Sequence, residues 1–329
     1  MMKRFTLALL LVLFIIPSLT SAQTDATLQT RKDAIYNLLD NAYNAGDIAD
    51  VATLFAEDYV RHPDEGDSTG FIISALALRA AMPDLQASID LVIGQEDLVA
   101  ARLRLQGTFQ NELIFPDTPP VPANQQPVTI AVHLLFRFNE EGLIVEEWDA
   151  FDNLHFFAQL GLVPPPQSVP TIPLTTAEIL PTAMEVQNTD TITQYLAGLN
   201  QGSFSLIEQR FRADFVAHNP FGTLDRAGLS VDLNLLRSAL PDTTWTLDQI
   251  AAEGNWVVAL YTVRGTFTNS FLLSDGTSVP PTGAVLELLT ITFYRFDEQG
   301  SVVETWEVYD SLSFLTQLGL LAFVAPGSQ

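Results

Sequence analysis

The sequence of 329 residues predicts two tandem α+β domains behind a short N-terminal sorting segment. Three observations predict them. One unit is written twice at a nearly constant offset. Within each copy, helical periodicity comes first and strand periodicity afterwards. A proline-rich stretch separates the copies.

The N-terminal segment comes first in the chain. Lys3-Arg4 is a short basic region, Phe5 to Ile16 is apolar, Pro17 interrupts it, and Thr20-Ser21-Ala22 offers small residues for cleavage. Residues 1–22 are therefore expected to be a cleaved signal peptide, which makes the protein secreted or periplasmic. The apolar run is too short for a stable bilayer span. Cleavage after Ala22 leaves 13 basic and 39 acidic residues, a charge of −26.

The first copy is expected over residues 25–163 and the second over 189–323. Arg79-Ala-Ala-Met-Pro-Asp84 recurs as Arg237-Ser-Ala-Leu-Pro-Asp242, and Gly107-Thr-Phe109 as Gly265-Thr-Phe267. Arg137-Phe-Asn-Glu-Glu-Gly142 recurs as Arg295-Phe-Asp-Glu-Gln-Gly300, and Gln159-Leu-Gly-Leu162 as Gln317-Leu-Gly-Leu320. All share an offset of 158, and 14 of the 27 positions from 136 to 162 are identical between copies. Asp58-Tyr-Val-Arg-His62 matches Asp214-Phe-Val-Ala-His218 at 156, so a two-residue indel lies between 62 and 79. Residues 164–188 between the copies, with six prolines from Pro164 to Pro181, read as a semi-rigid extended tether.

Within a copy, Ile35, Leu38, Leu39, Ala42 and Tyr43 form a helical stripe stopped by Gly46, and Val51, Leu54 and Phe55 suggest a second short helix. Copy two repeats this with Ile192, Tyr195, Leu196 and Leu199 before Gly202, then Leu206, Ile207 and Phe211. Strand patterns cover 98–108, 128–139 and 143–152, and again 256–268, 284–297 and 301–310. Asn139–Gly142 and Asp297–Gly300 read as hairpin turns.

Composition excludes several functions. Hydrophobic residues make up 47%, enough for buried cores, and the formal charge of −24 disfavours phosphate backbones and anionic lipid. Cysteine is absent, which removes disulfides, thiolate metal sites and a Cys nucleophile. Lysine occurs only at 3 and 32. No metal-ligand spacing, dinucleotide fingerprint, P-loop or nucleophile elbow is present, so no cofactor and no metal are expected.

Each copy resembles the SnoaL-like polyketide cyclase family of the nuclear transport factor 2-like superfamily. The resemblance rests on His62-Pro63 and His218-Asn-Pro220, the two Pro-Asp segments ending at Asp84 and Asp242, and the two Gly-Thr-Phe runs. To these are added Pro280-Pro-Thr-Gly283, the Glu-x-Trp-x-x-x-Asp runs ending at Asp152 and Asp310, and Gln-Leu-Gly at 159 and 317. It implies two tandem cone-shaped α+β barrels, each a curved antiparallel sheet wrapped by N-terminal helices around an apolar pocket, and pairing of the two domains through their sheets as an internal pseudo-dimer. It also implies ring closure by intramolecular aldol condensation without metal or organic cofactor, with the Asp at the positions of Asp152 and Asp310 as acid/base. Copy one departs from the family where Pro122-Ala-Asn-Gln125 replaces Pro-Pro-Thr-Gly, and both copies have Gly-Thr-Phe where Gly-Thr-His is common.

Strand alternation puts Glu146, Trp148, Ala150 and Asp152 on one face, and Glu304, Trp306, Val308 and Asp310 likewise. One reading makes each row a pocket wall ending in a general acid/base, with Trp148 and Trp306 against a flat ligand and Glu146 and Glu304 beside it. The other makes each Asp the N-cap of the following helix and each Trp a core residue. His62 and His218 either donate to a ligand oxygen or occupy hydrogen-bonded turns. His133 and His155, without counterparts, read as structural. Arg102 and Arg104 either suit an anionic ligand or form a polar solvent face. The leading expectation is an exported binder of a small apolar or aromatic molecule, with cofactor-free cyclase or isomerase chemistry at Asp152 or Asp310, more in copy two. The alternative is a non-catalytic ligand-binding or protein-interaction module. Neither reading involves nucleic acid, or the membrane after cleavage.

Overall fold

The computed structural model describes residues 18–63, 65–115, 119–163, 178–272 and 276–320, with the side chains of 18–25 excepted. Residues 1–17 of the expected signal peptide, 164–177 of the expected tether and 321–323 of the second domain lie outside the described residues.

In the first domain α1 (Ser18–Leu39) runs into a π-helical stretch (Asp40–Ala45) that Gly46 ends at φ 77°. There follow α2 (Ile48–Ala52), β1 (Phe55–His62), α3 (Ser68–Ala81), β2 (Gln86–Gln95), β3 (Leu98–Thr108), β4 (Pro127–Phe138), β5 (Ile144–Phe151) and α4 (Asn153–Leu160). The second domain repeats the plan: α5 (Glu185–Asn200), α6 (Ser205–Arg210), β6 (Phe211–Asn219), β7 (Gly222–Asp225), α7 (Arg226–Ala239), β8 (Thr244–Glu253) and β9 (Trp256–Thr266). A small pair, β10 (Phe271–Leu272) and β11 (Ser278–Val279), then precedes β12 (Val285–Phe296), β13 (Val302–Tyr309) and α8 (Ser311–Leu318). α5 begins within the stretch expected to be tether. Residues just before it are pinned to the second domain, with Trp256 Nε1 donating to the Glu178 carbonyl at 3.0 Å and Leu180 N donating to Asn255 Oδ1 at 2.8 Å.

The sheet orders are β1-β5-β4-β3-β2 and β7-β6-β13-β12-β9-β8. The two sheets are rich in antiparallel pairs, as expected, but β1 runs parallel to β5 and β6 parallel to β13. The strand patterns of the sequence do not include β2 and β8, because in Gln86–Gln95 polar and apolar residues alternate only until a continuous apolar run begins at Leu91.

The motifs shared by the copies hold this scaffold. Arg79 Nη1 donates to the carbonyls of Tyr43 and Asn44 at 2.5 and 2.8 Å, and Arg237 serves Leu199 and Asn200 in the same way. Each arginine thereby satisfies carbonyls that a helix end leaves free. Asp84 accepts from Thr108 N and Oγ1, both at 2.8 Å, and Asp242 accepts from Thr266 N and Oγ1, both at 2.7 Å. Gly107 sits against Met82 and Leu85, where a Cβ would meet atoms at 3.0 to 3.3 Å. Gln159 pairs its amide with the Thr129 backbone, and Gln317 with that of Glu287.

Each sheet is covered on both faces. On its concave face, the helices close a domain core around residues such as Leu38, Phe71 and Phe136 in the first domain and Leu196, Phe215 and Phe296 in the second. On the other face the sheets of the two domains meet in a shared core. Leu91, Ile93, Ala100, Leu135 and Trp148 pack there with Trp256, Val258, Leu260, Phe293 and Trp306. This explains why Leu98–Ala101 of β3 and Trp256–Tyr261 of β9 are continuous apolar runs: water reaches neither side. Among the described residues, no helix is long and apolar enough to cross a membrane.

Candidate functional site

The first domain is hollow. A cavity of about 550 Å³ runs from its cone to the seam with the second domain. Ile130, Val132 and Leu134 of β4 project into it at period two, and Phe71, Ser74 and Leu78 of α3 face them, one helical turn apart. Phe156 of α4 and Phe115 complete the apolar lining. Thr262, Leu289, Asp310 and Ser313 of the second domain border the same space at the seam.

A cluster of charged side chains interrupts the first-domain lining. Alternation along β5 turns Glu147, Asp149 and Phe151 toward the cavity, and β1, in parallel register with Arg61 opposite Glu147, supplies Arg61 and Tyr59. The Arg61 guanidinium lies 2.9 Å from Asp149 Oδ1 and 3.9 Å from Glu147 Oε1. The Tyr59 hydroxyl donates to Glu147 Oε2 in a short hydrogen bond. Glu147 is 1% exposed, and burial, reinforced by the Asp149 charge, pushes its carboxyl up to about 8 against the opposing pull of Arg61 and Tyr59. Burial likewise raises the phenols of Tyr59 and Tyr43, and both stay protonated. The cluster thus joins a guanidinium, the Asp149 carboxyl that it pairs with, and a buried Glu147 carboxyl that holds its proton more tightly than usual.

The second domain changes nearly all of these residues. Phe215 stands for Tyr59, Ala217 for Arg61, Thr305 for Glu147 and Glu307 for Asp149. Tyr195, Tyr294 and Thr292 line part of the corresponding space, where a small cavity of about 20 Å³ lies. Glu307 accepts from Tyr261 Oη at 2.7 Å, and burial pushes its carboxyl up to about 7 despite that bond. Of these two hollows the larger borders copy one, whereas the sequence points more to copy two.

The rows singled out in the sequence lie on the opposite face of each sheet from the one the pocket-wall reading requires, and in accord with the reading of core Trp and capping Asp. Glu146 and Trp148, and Glu304 and Trp306, look toward the sister domain and not into a cone. Trp148 and Trp306 belong to the shared inter-sheet core. His62 stacks on Trp148 at 5.0 Å between centroids, with Nε2 3.4 Å from Glu146, which also accepts from Arg137 Nε at 2.7 Å. His218 stacks on Trp306 at 5.5 Å, with Nε2 2.9 Å from Glu304, which accepts from Arg295 at 2.5 Å. Although burial raises Glu304, its bonds from His218 and Arg295 hold it below the usual range. Alternation sorts residues into two faces but cannot say which face meets the ligand when both are covered. His218 also reaches the edge of the small second-domain cavity.

Asp152 and Asp310 are the N-caps of α4 and α8. Asp152 accepts from His155 N at 3.4 Å and Asp310 from Ser313 N at 2.9 Å. Each also takes a hydrogen bond from the other domain: Ser311 Oγ donates to Asp152, and Asn153 Nδ2 donates to Asp310 at 2.8 Å. His155 Nδ1 lies against Asp152, and buried His133 sits 3.0 Å from the Ile291 carbonyl, its ring pushed down to about 3 by desolvation. Arg102 is neither a pocket residue nor a solvent residue. It is 2% exposed at the seam, 4.3 Å above the Trp306 ring, with Asp90 at 3.8 Å. Arg104 shares Asp90 at 3.8 Å.

Sequence reasoning missed Tyr59, Arg61, Glu147 and Asp149. A signal existed: between the copies Tyr59, Arg61 and Glu147 change together, to Phe215, Ala217 and Thr305, and so lose a hydroxyl, a cation and an acid at once.

The family model for SnoaL-like polyketide cyclases matches residues 33–160 and again 189–318. Among solved structures, IdmH of Streptomyces antibioticus, described as a candidate polyketide cyclase, is 28% identical. The match covers 40% of this chain and 99% of IdmH, with a TM-score of 0.35. AclR of Streptomyces galilaeus, described as a candidate hydroxylase, is 24% identical over 42% of this chain and 99% of its own, with a TM-score of 0.36. A candidate SnoaL-like polyketide cyclase of Jannaschia sp. CCS1 is 18% identical over 42% and 94%, with a TM-score of 0.37. No curated protein matches the chain.

Proposed function

Because the chain belongs, through both of its halves, to the SnoaL-like polyketide cyclase family, we propose that it binds a small apolar or aromatic molecule in the cone of its first domain and runs cofactor-free cyclase or isomerase chemistry on it. The observation that carries this reading is the 550 Å³ cavity, lined with apolar side chains from β4, α3 and α4 and with the Arg61, Glu147 and Asp149 cluster on its wall. In this reading the second domain is a scaffold. Its sheet backs the first. Asp152 and Asp310 serve as caps that lock the two domains, while acid/base work falls to groups inside the cone. Lys3-Arg4, the apolar run and Thr20-Ser21-Ala22 support export with cleavage after Ala22.

A second reading, a non-catalytic ligand holder, is favoured by the engagement of both capping aspartates in inter-domain hydrogen bonds. Titration of the mature protein with a neutral bicyclic aromatic ketone, followed by ligand-detected NMR, tests the site. Ser74→Trp, which fills the first cavity, is expected to abolish binding. Asp232→Trp, at the equivalent position of the second domain, is expected to leave it intact. Binding that survives Ser74→Trp contradicts the placement. Binding without turnover of any β-keto ester supports the holder.

A further inference from the structure

The cavity of the first domain does not end inside the cone. Its lining takes side chains from both faces of the first sheet: Glu147, Asp149 and Phe151 from the concave face, and Ala150, a member of the inter-sheet core, from the other. Pro63, just past the end of edge strand β1, and Asn153, at the start of α4, border it too. The space therefore passes around the C-terminal ends of β1 and β5 and reaches the second domain. There Thr262 of β9, Leu288 and Leu289 of β12 and Ser313 of α8 line it.

The two copies differ at this point. After His218 the second domain makes β7, which adds a sixth strand beside β6. Phe221, in the turn between them, lies 6.3 Å from the Tyr309 ring and 6.0 Å from the Phe314 ring, centroid to centroid. Tyr309 and Phe314 correspond to Phe151 and Phe156, which line the first cavity. Copy one is two residues shorter here. Among the described residues its sheet has five strands, and Gly66 makes only an isolated bridge to Arg61. The residue in the place of Phe221 is the exposed Glu65. The aromatic cover that Phe221 gives Tyr309 and Phe314 thus has no counterpart at the same place in the first domain, and there the space continues to the seam.

The seam end has its own chemistry. Leu288 and Leu289 supply apolar surface, and the hydroxyls of Thr262 and Ser313 lie beside it. Thr262 Oγ1 donates to Asp248 at 2.7 Å and keeps its capacity to accept; Ser313 Oγ accepts from Gln317 Nε2 at 2.6 Å and keeps its hydrogen. Asp310 takes its hydrogen bonds from two neutral donors, Ser313 N and Asn153 Nδ2, and Glu287 adds a second carboxylate. Both disfavour an anion at this end. Resting on the cone as the ligand site, we propose that the second domain forms a wall of that site and that the ligand is elongated, with a flat apolar body in the first cone and a flexible, uncharged chain running over Leu289 to the Thr262 and Ser313 hydroxyls. Thr262, Leu289 and Ser313 thereby select for chain length and against a terminal carboxylate. The site is complete only with both copies in place.

The test uses the mature full chain and three probes with one naphthalene body: 2-acetylnaphthalene, its homologue with an eight-carbon acyl chain ending in a hydroxyl, and the same chain ending in a carboxylate. Affinities are read by ligand-detected NMR. The hydroxyl probe is expected to bind about a hundredfold more tightly than 2-acetylnaphthalene, because its extra methylenes leave water. The carboxylate probe should bind at least about tenfold more weakly than the hydroxyl probe. Thr262→Trp and Ser313→Phe, two independent ways of filling the seam end, should each bring the ratio of hydroxyl-probe to acetyl-probe affinity down to about one, whereas Asp232→Trp should keep it at about a hundred. Equal affinity of the long and short probes in the wild type overturns the proposal and leaves the cone as a ligand site. So does a ratio that survives both seam variants, which puts the chain elsewhere, and so does a carboxylate probe that matches the hydroxyl probe. Failure of all three probes to bind removes the cone reading and this inference with it.

Discussion

The Ser311 hydroxyl, at the start of α8 in the second domain, donates to the Asp152 carboxylate that caps α4 in the first. The relation is reciprocated, since Asn153 at the start of α4 donates to Asp310, the cap of α8. Two helix starts thus exchange hydrogen bonds across the seam, and each aspartate both ends a strand face and joins two domains.

This arrangement predicts a stability effect. Asp310→Ala removes the bond to Ser313 N and strands the Asn153 amide, and loss of an N-cap alone costs about 1 kcal/mol. We expect Asp310→Ala to destabilise the protein by about 1–3 kcal/mol, with Asp152→Ala similar, and ligand affinity to change little. Thermal and urea denaturation measure this. An Asp310→Ala protein as stable as the wild type contradicts the interlock.

The buried guanidinium at the seam predicts the opposite sign. Arg102 is desolvated strongly enough to bring its pKa down to about 10, and its nearest carboxylate, Asp90, keeps Arg104. The other copy has Leu260 at this position, buried in the same core. Replacing a buried charge by a hydrophobe of suitable volume is commonly neutral or stabilising. Arg102→Leu is therefore expected to be neutral or stabilising by up to about 2 kcal/mol. A loss of more than about 1 kcal/mol in urea unfolding shows that the Trp306 and Asp90 contacts outweigh desolvation.

Glu307 makes stability pH-dependent. Its carboxyl titrates near 7 in the folded protein against 4.5 as the reference value. The folded state therefore holds this proton where the unfolded state has released it. The contribution is fully present below about pH 4.5 and is lost as pH rises through about 7. Glu307→Gln carries no such proton. Relative to the wild type it should gain up to about 3 kcal/mol on going from pH 4.5 to pH 8.5. Urea unfolding of both proteins at the two pH values reads this difference, and equal shifts in both proteins rule Glu307 out as the source.

The fold was legible largely because the chain carries its own comparison. Gln159 and Gln317, Arg79 and Arg237, and Asp84 and Asp242 recur at one spacing, and each pair makes the same backbone bonds in both domains. β3 lies at the expected 98–108, and β4, β5, β9, β12 and β13 agree with expectation to within two residues at either end. The candidate site was harder to read. Glu146 and Glu147 are adjacent, both partly or wholly buried, and both hydrogen-bonded, yet one faces the seam and the other the cavity. A residue pattern of period two separates them but carries no label for inside and outside.

By itself, the amino-acid order determined the duplication, the α+β class, and the capping aspartates as one of two readings, all of which depend on local spacing or on identity between copies. Tertiary structure alone decided that Trp148 and Trp306 share one core, that Arg102 is enclosed, and that a cavity of about 550 Å³ opens beside Arg61, Glu147 and Asp149. These outcomes depend on which surfaces meet after folding, and packing two apolar sheet faces together removes the contrast with water from which a sequence pattern is read.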